Sequence, residues 1–463
     1  MKDHTISFFI TIHDFLATSI NPMNTDEVAV STFSPSPLSV LSASGEVLQT
    51  YDYTNSLLEE TYLNNGWSLC SDVCYDNSEY TGWHRGYPDS MAKIDHKSLR
   101  FVPWDNSLPF FLADFEDELG KPLDVCPRSL LRKITKKLES YGFFPKAGCE
   151  FEWFNFKETS ESLEVKNFSS IKPITSGMFG YSLLRSTENS DYFNDLMDFM
   201  GDFRIPLEGL HTETGPGVYE AAISASQALE AADRAVLFKA GSKEIAKKYG
   251  FIASFMARWS EALPGCSGHV HLSLEDRYGR NLFSDESSPY KMSKTFRHFL
   301  AGLIHGVPEL LPLLAPTVNS YKRLVEGFWA PTRMNWGVDN RTCAFRVLNS
   351  SQAATRVEVR VPGSDVNPYL ALSAILAAGY EGIENEMELK SSPISGNAYE
   401  DKMGEKLASN LFDATKRFES SEMAQRTLGE NFVKHFAGTR HWEWRENQKA
   451  ITDWELKRYF EII

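Results

Sequence analysis

Apolar residues recur along the chain with helical spacing in some segments and strand spacing in others. Residues 127–141 place Leu130, Leu131, Ile134 and Leu138 on one face, and Gly142 follows where a helix would stop, so a helix is predicted there. The short aromatic run 146–156 reads as a strand. The Ala-rich stretch 221–249 and the segment 293–314, ending near Pro316, predict two long helices. Asn367 supplies an N-cap residue and Pro368 a proline suited to the first turn, opening a helix that runs to Glu384. Segments 407–418 and 420–436 add further helix. Up to about residue 105, strand-like runs alternate with Ser, Asn, Asp and Gly, which predicts a small β-rich domain; residues 102–106 read as a break before the main body.

A length of 463 residues exceeds the usual single core and predicts two domains, or one large domain with an appendage. A hydrophobic share of 42% with 24% charged residues excludes wholesale disorder. Acidic residues outnumber basic ones 62 to 47, and the net charge of −15 excludes a protein that coats nucleic acid. An anionic substrate would need a locally basic pocket on this acidic body. The six cysteines form no CxxC pair, which predicts reduced thiols. The start, MKDHTISFFITIHDF, lacks a signal-peptide pattern, and no apolar run is long enough to span a bilayer. A cytoplasmic protein with neither membrane nor nucleic acid as partner is expected.

Charged residues on strand-like runs carry the chemical information. Glu150 and Glu152 share one side of a strand, with aromatic residues on the other. In TRVEVRV, Arg356, Glu358 and Arg360 share a face opposite three valines, and His269 and His271 share one in GHVHL. A solvated sheet face would account for any one of these, but three together are harder to explain so. Glu213 and Glu220 flank a Gly-Pro-Gly turn and can converge. Arg323, Arg341, Arg346, Arg356 and Arg360 add five guanidiniums within a short span, suited to carboxylate and phosphate oxygens. Clustered carboxylates with a histidine suit Mg²⁺ or Mn²⁺. With no GxxxxGK[ST] loop present, phosphates would be held by arginines and metal ions.

In order, the blocks CEFEWF, ETGPGVYE, GCSGHVHLSL, APTVNSYKRL, WGVDNRTCAFRV and TRVEVRVPGSDVNPYLALSAILAAG resemble the glutamine synthetase superfamily, from about residue 95 onward. The resemblance implies an α+β fold: an N-terminal β-grasp-like domain over 1–105, its first 65 or so residues divergent, then a catalytic domain over 106–463 built on a curved antiparallel sheet with helices. It implies an ATP-dependent carbon–nitrogen ligase in which the glutamate γ-carboxylate is phosphorylated and an amine then displaces phosphate. Glu152, Glu213 and Glu220 would hold one metal, and Glu150, His269 and Glu358 a second. Arg323, Arg360 and Gly265 would bind glutamate. Arg341, with Glu213, would act on the reacting groups, while His271, Ser273, Arg346 and Arg356 would contact ATP. The family also implies rings of subunits, a hexamer or a dodecamer of two stacked hexamers. Each active site is completed by the neighbour's N-terminal domain, where Asp72 or Asp76 could supply the usual aspartate.

Departures from the family pattern bear on the amine. Trp329 stands where glutamine synthetases carry a flap glutamate before Ala-Pro, and an indole cannot take a proton as a carboxylate can. Val218 replaces the Gln of GPGQ, and Pro264 the Asn before the GSG-type run. The WGxDNRT wording resembles the branch that joins glutamate to polyamines and other organic amines. A Trp and a Val at the amine entrance would suit a carbon skeleton, whether polyamine, alkylamine or aromatic amine. A glutamine synthetase using ammonium, with Glu326 replacing the flap carboxylate, is the alternative. A non-catalytic structural homologue is the third reading. Tyr399 is read as surface, and Trp442, Trp444 and Trp454 as packing residues.

Overall fold

A computed structural model describes residues 37–41, 47–52, 84 and 90–462 of the chain. The β-grasp-like domain expected over residues 1–105 falls largely outside them, as do Asp72 and Asp76. Two antiparallel hairpins come first, β1 (Pro37–Leu41) with β2 (Val47–Asp52), and β3 (Met91–Val102) with β4 (Leu108–Glu116). Of residues 102–106, read as a break, Val102 ends β3 and 103–106 belong to the turn of the second hairpin, where Asn106 and Ser107 adopt positive φ.

The remaining strands are β5 (Phe144–Phe156), β6 (Leu207–Thr212), β7 (Val218–Ile223), β8 (Ser226–Gln227), β9 (Ile252–Ser254), β10 (Gly268–Glu275), β11 (Trp336–Val338), β12 (Phe345–Leu348) and β13 (Arg356–Val359). They form a nine-stranded sheet with the path β11-β12-β13-β10-β5-β7-β6, and β8 and β9 pair with β5 as well. Every pairing is antiparallel except β11 with β12. The larger helices are α1 (Pro127–Ser140), α2 (Ser190–Asp202), α3 (Ala228–Lys248), α4 (Lys294–Gly306), α5 (Pro368–Glu384), α6 (Leu411–Glu419), α7 (Glu422–Leu428) and α8 (Glu430–Lys449). The expected α+β architecture is borne out.

The apolar period of two fixes which side of the sheet is covered. Cys149, Phe151 and Trp153 of β5, Tyr219 and Ala221 of β7, Val270 and Leu272 of β10, and Val357 and Val359 of β13 are all buried in one core with the helices. Phe238 of α3 stacks on Phe151 and meets Trp153 edge-on, so this helix lies against the rear of the sheet. Helices α4 and α5 approach closely because glycines face each other: a Cβ on Gly302 would lie 2.2 Å from the Ala378 carbonyl, and one on Gly382 2.1 Å from that of His298.

The α1 and α5 expectations hold, with Pro127 and Pro368 in the first turns and the Asn367 side chain accepting from the amides of Tyr369 and Leu370. The stretch 221–249 splits, however. Residues through Ile223 are strand, because β7 is hydrogen-bonded to β5 on one side and β6 on the other, which outweighs an alanine's helix preference of under about 1 kcal/mol. The segment 293–314 is helical only to Gly306, followed by a 3-10 turn at Leu311–Leu313. Segments 407–436 contain α6, α7 and the start of α8, the last two separated at Gly429, whose φ is 102°. Trp442 packs in the core and Trp444 stacks on Phe412, but Trp454 is 63% exposed.

Candidate active site

Strand register brings the sequence-predicted charged residues onto the sheet's other face. Opposite residues in an antiparallel pair project to the same side. Glu152 is paired with Glu220, which is paired in turn with His211; Glu150 is paired with His269, His271 with Glu358, and Glu358 with Arg346. A polar row therefore crosses six strands, from β6 through β7, β5, β10 and β13 to β12. Ser273 shares the face two residues beyond His271, and Arg356 and Arg360 flank Glu358. Glu213 reaches the row from the Gly-Pro-Gly turn.

The carboxylates are too crowded to ionise together. Glu150, Glu220 and His269 offer ligand atoms within 4.8 Å of one another, as do His211, Glu213 and Glu220. Burial, the shared hydrogen bond with Glu150 and the charge of Glu152 push the Glu220 carboxyl up to about 12. Glu152 is likewise raised, chiefly by burial and then by Glu213, although the Ser267 amide donates to it at 2.6 Å. Glu150 goes the other way: burial opposes its charge, but the nearby His269 ring, 3.9 Å away, and the hydrogen bond with His271 hold it well below the usual carboxylate range. His269 is pushed down to about 4, first by burial and then by Arg360. Both of its ring nitrogens are buried without a hydrogen-bond partner. A neutral imidazole with a free lone pair, set among carboxylates that repel each other, fits a hard divalent cation.

A second line of contacts orients the first. Arg356 Nε donates to His271 Nδ1 at 3.1 Å, so the ring proton sits on Nε2 and is given to Glu150 at 2.9 Å. Glu358 is buried and accepts from Arg346 at 2.8 Å and from Arg360, and it lies 3.4 Å from His269 Nδ1. Arg346 also grips Asp339. Arg323 donates to the carbonyls of Arg360 and Val361, bracing the end of β13. Gly265 lies against it: a Cβ there would sit 2.3 Å from the Ala257 carbonyl and 2.9 Å from Arg323 Cγ. Gly265→Ala is therefore expected to displace Arg323 and, if Arg323 binds glutamate as the family resemblance implies, to weaken glutamate binding by about tenfold or more. Glutamate KM, compared with ATP KM, checks this; equal effects on both would count against it.

The amine-side expectations are partly redrawn. Trp329 is 58% exposed with φ 60°, an unusual conformation for a bulky residue, on the exposed segment 325–329. The Arg258 guanidinium lies 4.5 Å from the ring centre of Phe328 in the same segment. Glu326 pairs with Lys402 at 3.2 Å. Val218, expected at the entrance, is instead buried with Phe154, Phe156 and Cys266, because the face of β5 turns apolar beyond Glu152.

Sequence reasoning missed three residues. His211 lies 3.5 Å from Glu220, and its position two before Glu213 was the available signal. Tyr181 stacks on His211 at 4.8 Å; its hydroxyl bonds to Glu213, which raises its pKa, while the charge of Arg341 opposes that shift. It sits outside any strand, so no periodicity flagged it. Asp339 joins Arg341 and Arg346 in lining a cavity of about 470 Å³, closed on one side by Ile394, Ser395 and Gly396.

Residues 124–459 match the family model described as glutamine synthetase, catalytic domain. The chain belongs to the glutamine synthetase family. It is 52% identical over 402 residues to the type-1 glutamine synthetase 2 of Dictyostelium discoideum, covering 86% of this chain and 77% of that protein. It is 38% identical over 418 residues to the glutamate–isopropylamine ligase of a Pseudomonas species, covering 89% and 91%. The solved GmaS–ADP complex superposes with a TM-score of 0.73 at 30% identity, covering 81% of this chain and 86% of that one. Both the family and its γ-glutamylamine branch were legible in the ordered motifs, and the chain is an ATP-dependent carbon–nitrogen ligase of that family. Among the described residues no helix is long and apolar enough to cross a membrane.

Proposed function

We propose that this chain joins the γ-carboxylate of glutamate to a small primary monoamine at the expense of ATP. A γ-carboxylate oxygen attacks the γ-phosphorus and ADP departs, leaving γ-glutamyl phosphate. The amine nitrogen then attacks the acyl carbon, phosphate departs and the amide remains, with one proton lost from nitrogen. The observation that carries this reading is the flap: Trp329 occupies the carboxylate position, and the neighbouring Glu326 is paired with Lys402. An ammonium ion would find no free carboxylate on this segment, and neither would the distal cation of a polyamine. Exposed Phe328 and Trp329 instead offer apolar surface to a short carbon chain. The relatives that act on isopropylamine or are named GmaS support the reading, whereas the Dictyostelium relative supports the ammonium-using alternative.

In this reading Glu152, Glu213 and Glu220 hold one Mg²⁺ or Mn²⁺, and Glu150, His269 and Glu358 another. Such ions, when bound, neutralise phosphate oxygens and so favour phosphoryl transfer. Arg323 and Arg360, with Gly265 beside them, hold the glutamate carboxylates. Arg346, Arg356, His271 and Ser273 face ATP, and Arg341 meets the charge that develops on the transferred group. Glu213, hydrogen-bonded to Tyr181, stands beside the amine path. The protein works as a cytoplasmic homo-oligomeric ring, a hexamer or dodecamer, in which Asp72 or Asp76 of the 1–105 domain completes a neighbour's site. The non-catalytic alternative is disfavoured because all six proposed metal ligands and all five arginines are retained.

The test is phosphate release from ATP, glutamate and Mg²⁺ across ammonium, isopropylamine, ethylamine, putrescine, spermidine and benzylamine. A monoalkylamine is expected to exceed ammonium and the polyamines in kcat/KM by about tenfold or more. Ammonium matching the best amine would replace this reading with glutamine synthetase; putrescine leading would overturn the choice of a monoamine.

A further inference from the structure

Arg323 closes a single helical turn, Ser320–Arg323, and its guanidinium donates to the carbonyls of Arg360 and Val361. Further along the loop that follows Val361, Asp365 grips the start of that same turn. Its Oδ2 accepts from Thr317 Oγ1 at 2.9 Å and from Ser320 Oγ at 2.5 Å. The two hydroxyls also accept from each other's backbone amides: Ser320 N donates to Thr317 Oγ1 at 3.0 Å, and Thr317 N to Ser320 Oγ at 2.9 Å. Thr317 and Ser320 are both buried. Asp365 Oδ1 is sealed and has no hydrogen-bond partner among the described residues, so the carboxylate's hydrogen bonding goes wholly to this turn. The loop is itself held. The Gly268 amide donates to the Pro362 carbonyl at 3.0 Å, and the Ser364 amide to that of Cys266 at 3.0 Å. It is also tight, since a Cβ on Gly363 would lie 2.5 Å from Asp365 Oδ1 and 3.7 Å from Arg323 Cδ.

A count of hydrogens shows why the turn needs this carboxylate. Each hydroxyl owns one proton, and the two oxygens are 3.0 Å apart. Without Oδ2, one hydroxyl could donate to the other, but the second would be a buried donor with no acceptor. The turn would have to shift, and Arg323 with it. We propose that Asp365 is a positioning residue of the glutamate pocket. The single loop 360–365 sets the backbone of the Arg323 turn through Asp365, the Arg323 guanidinium through two carbonyls, and Arg360 by carrying it. One piece of chain thereby fixes the spacing of the two guanidiniums that meet glutamate. The inference rests on the ligase reading above, in which Arg323 and Arg360 hold the glutamate carboxylates.

Steady-state phosphate release by the full chain, with glutamate and ATP varied in turn, tests this. Asp365→Ala is expected to raise glutamate KM by about tenfold, with ATP KM changed by no more than about twofold. Asp365→Asn keeps an oxygen that can accept from both hydroxyls, so it should bring glutamate KM back to within about threefold of wild type. Ser320→Ala breaks one of the two links to Asp365 and is the milder change, expected to raise glutamate KM by about threefold. It decides the question alone if Asp365→Ala does not fold. A glutamate KM unchanged in Asp365→Ala or in Ser320→Ala would overturn the inference. So would equal rises in both KM values, which would mark a general loosening of the fold, and so would an Asp365→Asn protein no better than Asp365→Ala. A wild-type protein inactive with glutamate and every amine would remove the ligase reading, and this inference with it. Wild-type activity with indifferent variants would remove this inference alone.

Discussion

Glu358→Gln is expected to lower kcat by about a thousandfold or more, the largest effect of any single isosteric change in the site. The side chain is 1% exposed and is shared by three partners: His269, Arg346 and Arg360. Burial alone would raise its pKa, but His269 and the two guanidiniums, with His271, outweigh that and hold it at about 2. It is therefore an anion at any pH near neutrality. Glutamine keeps the shape but removes the charge, and it turns an NH₂ group toward donors that need an acceptor. Arg346 retains Asp339, whereas Arg360 loses its side-chain acceptor and is free to leave the pocket where it would meet glutamate. His269 loses the carboxylate opposite Glu150, so divalent-cation affinity should fall too. Steady-state phosphate release with a Mn²⁺ titration checks both. Activity within about tenfold of wild type at saturating metal would show that Glu358 is a spectator.

The site was more legible than the elements that build it. Alternation of polar and apolar residues in CEFEWF, GHVHL and TRVEVRV identifies one polar face per strand, and the structure shows those faces to be a single surface. Spacing within a strand is local information, so it survives in the sequence. The strand order that places β13 beside β10 and β10 beside β5 is not local, and only the family resemblance supplied it. Helix limits failed where tertiary contacts override local preference. Ala221 is drawn into β7 by pairing on both sides, and the 420–436 helix is cut at Gly429, whose left-handed backbone ends one helix and begins the next. Tyr181 and Tyr399 lie on irregular segments, where exposure cannot be inferred from periodicity.

The polar face works because its rear is rigid. Phe151, Trp153, Val270, Val357 and Val359 project backward into the core on the same strands that project Glu150, Glu152, His269 and Glu358 forward. A shift of one residue in register would exchange these sets, burying several charges without partners and exposing the core. The core thus fixes the carboxylate spacing, and the histidines and arginines set the charge state. The helices behind the sheet consequently matter to the chemistry without touching it.

Arg128→Met is expected to destabilise the folded protein by about 3–5 kcal/mol while leaving substrate affinities of the remaining folded enzyme unchanged. Arg128 of α1 is buried and binds Asp233 of α3 through two parallel hydrogen bonds of 2.8 Å. It also reaches Asp95 of β3 at 2.8 Å and Asp114 of β4 at 3.1 Å, and Arg132 joins both of these aspartates. Tyr369 of α5 donates to Asp233 at 2.6 Å. One guanidinium thereby clamps the β3–β4 hairpin to helices behind the catalytic sheet. Burial disfavours its charge, but Asp233 more than compensates and keeps its pKa above the ordinary arginine value. Methionine fills similar space and leaves Asp233 buried with no cation, which is why removing one partner costs more than the pair contributes. Replacing Asp233 by asparagine as well should recover part of the loss. The pH dependence has a definite sign. Asp95 is lowered from 3.8 to about 2, against the effect of burial, by Arg128 and Arg132. A depressed carboxyl contributes stability that is complete above its unfolded value and is lost as pH falls toward its folded one. Wild type should therefore lose stability between pH 3.8 and about 2 more steeply than Arg128→Met does. Denaturant unfolding at neutral pH and across that acid window measures both effects, and a neutral-pH change below about 1 kcal/mol would show that the clamp is not held by charge.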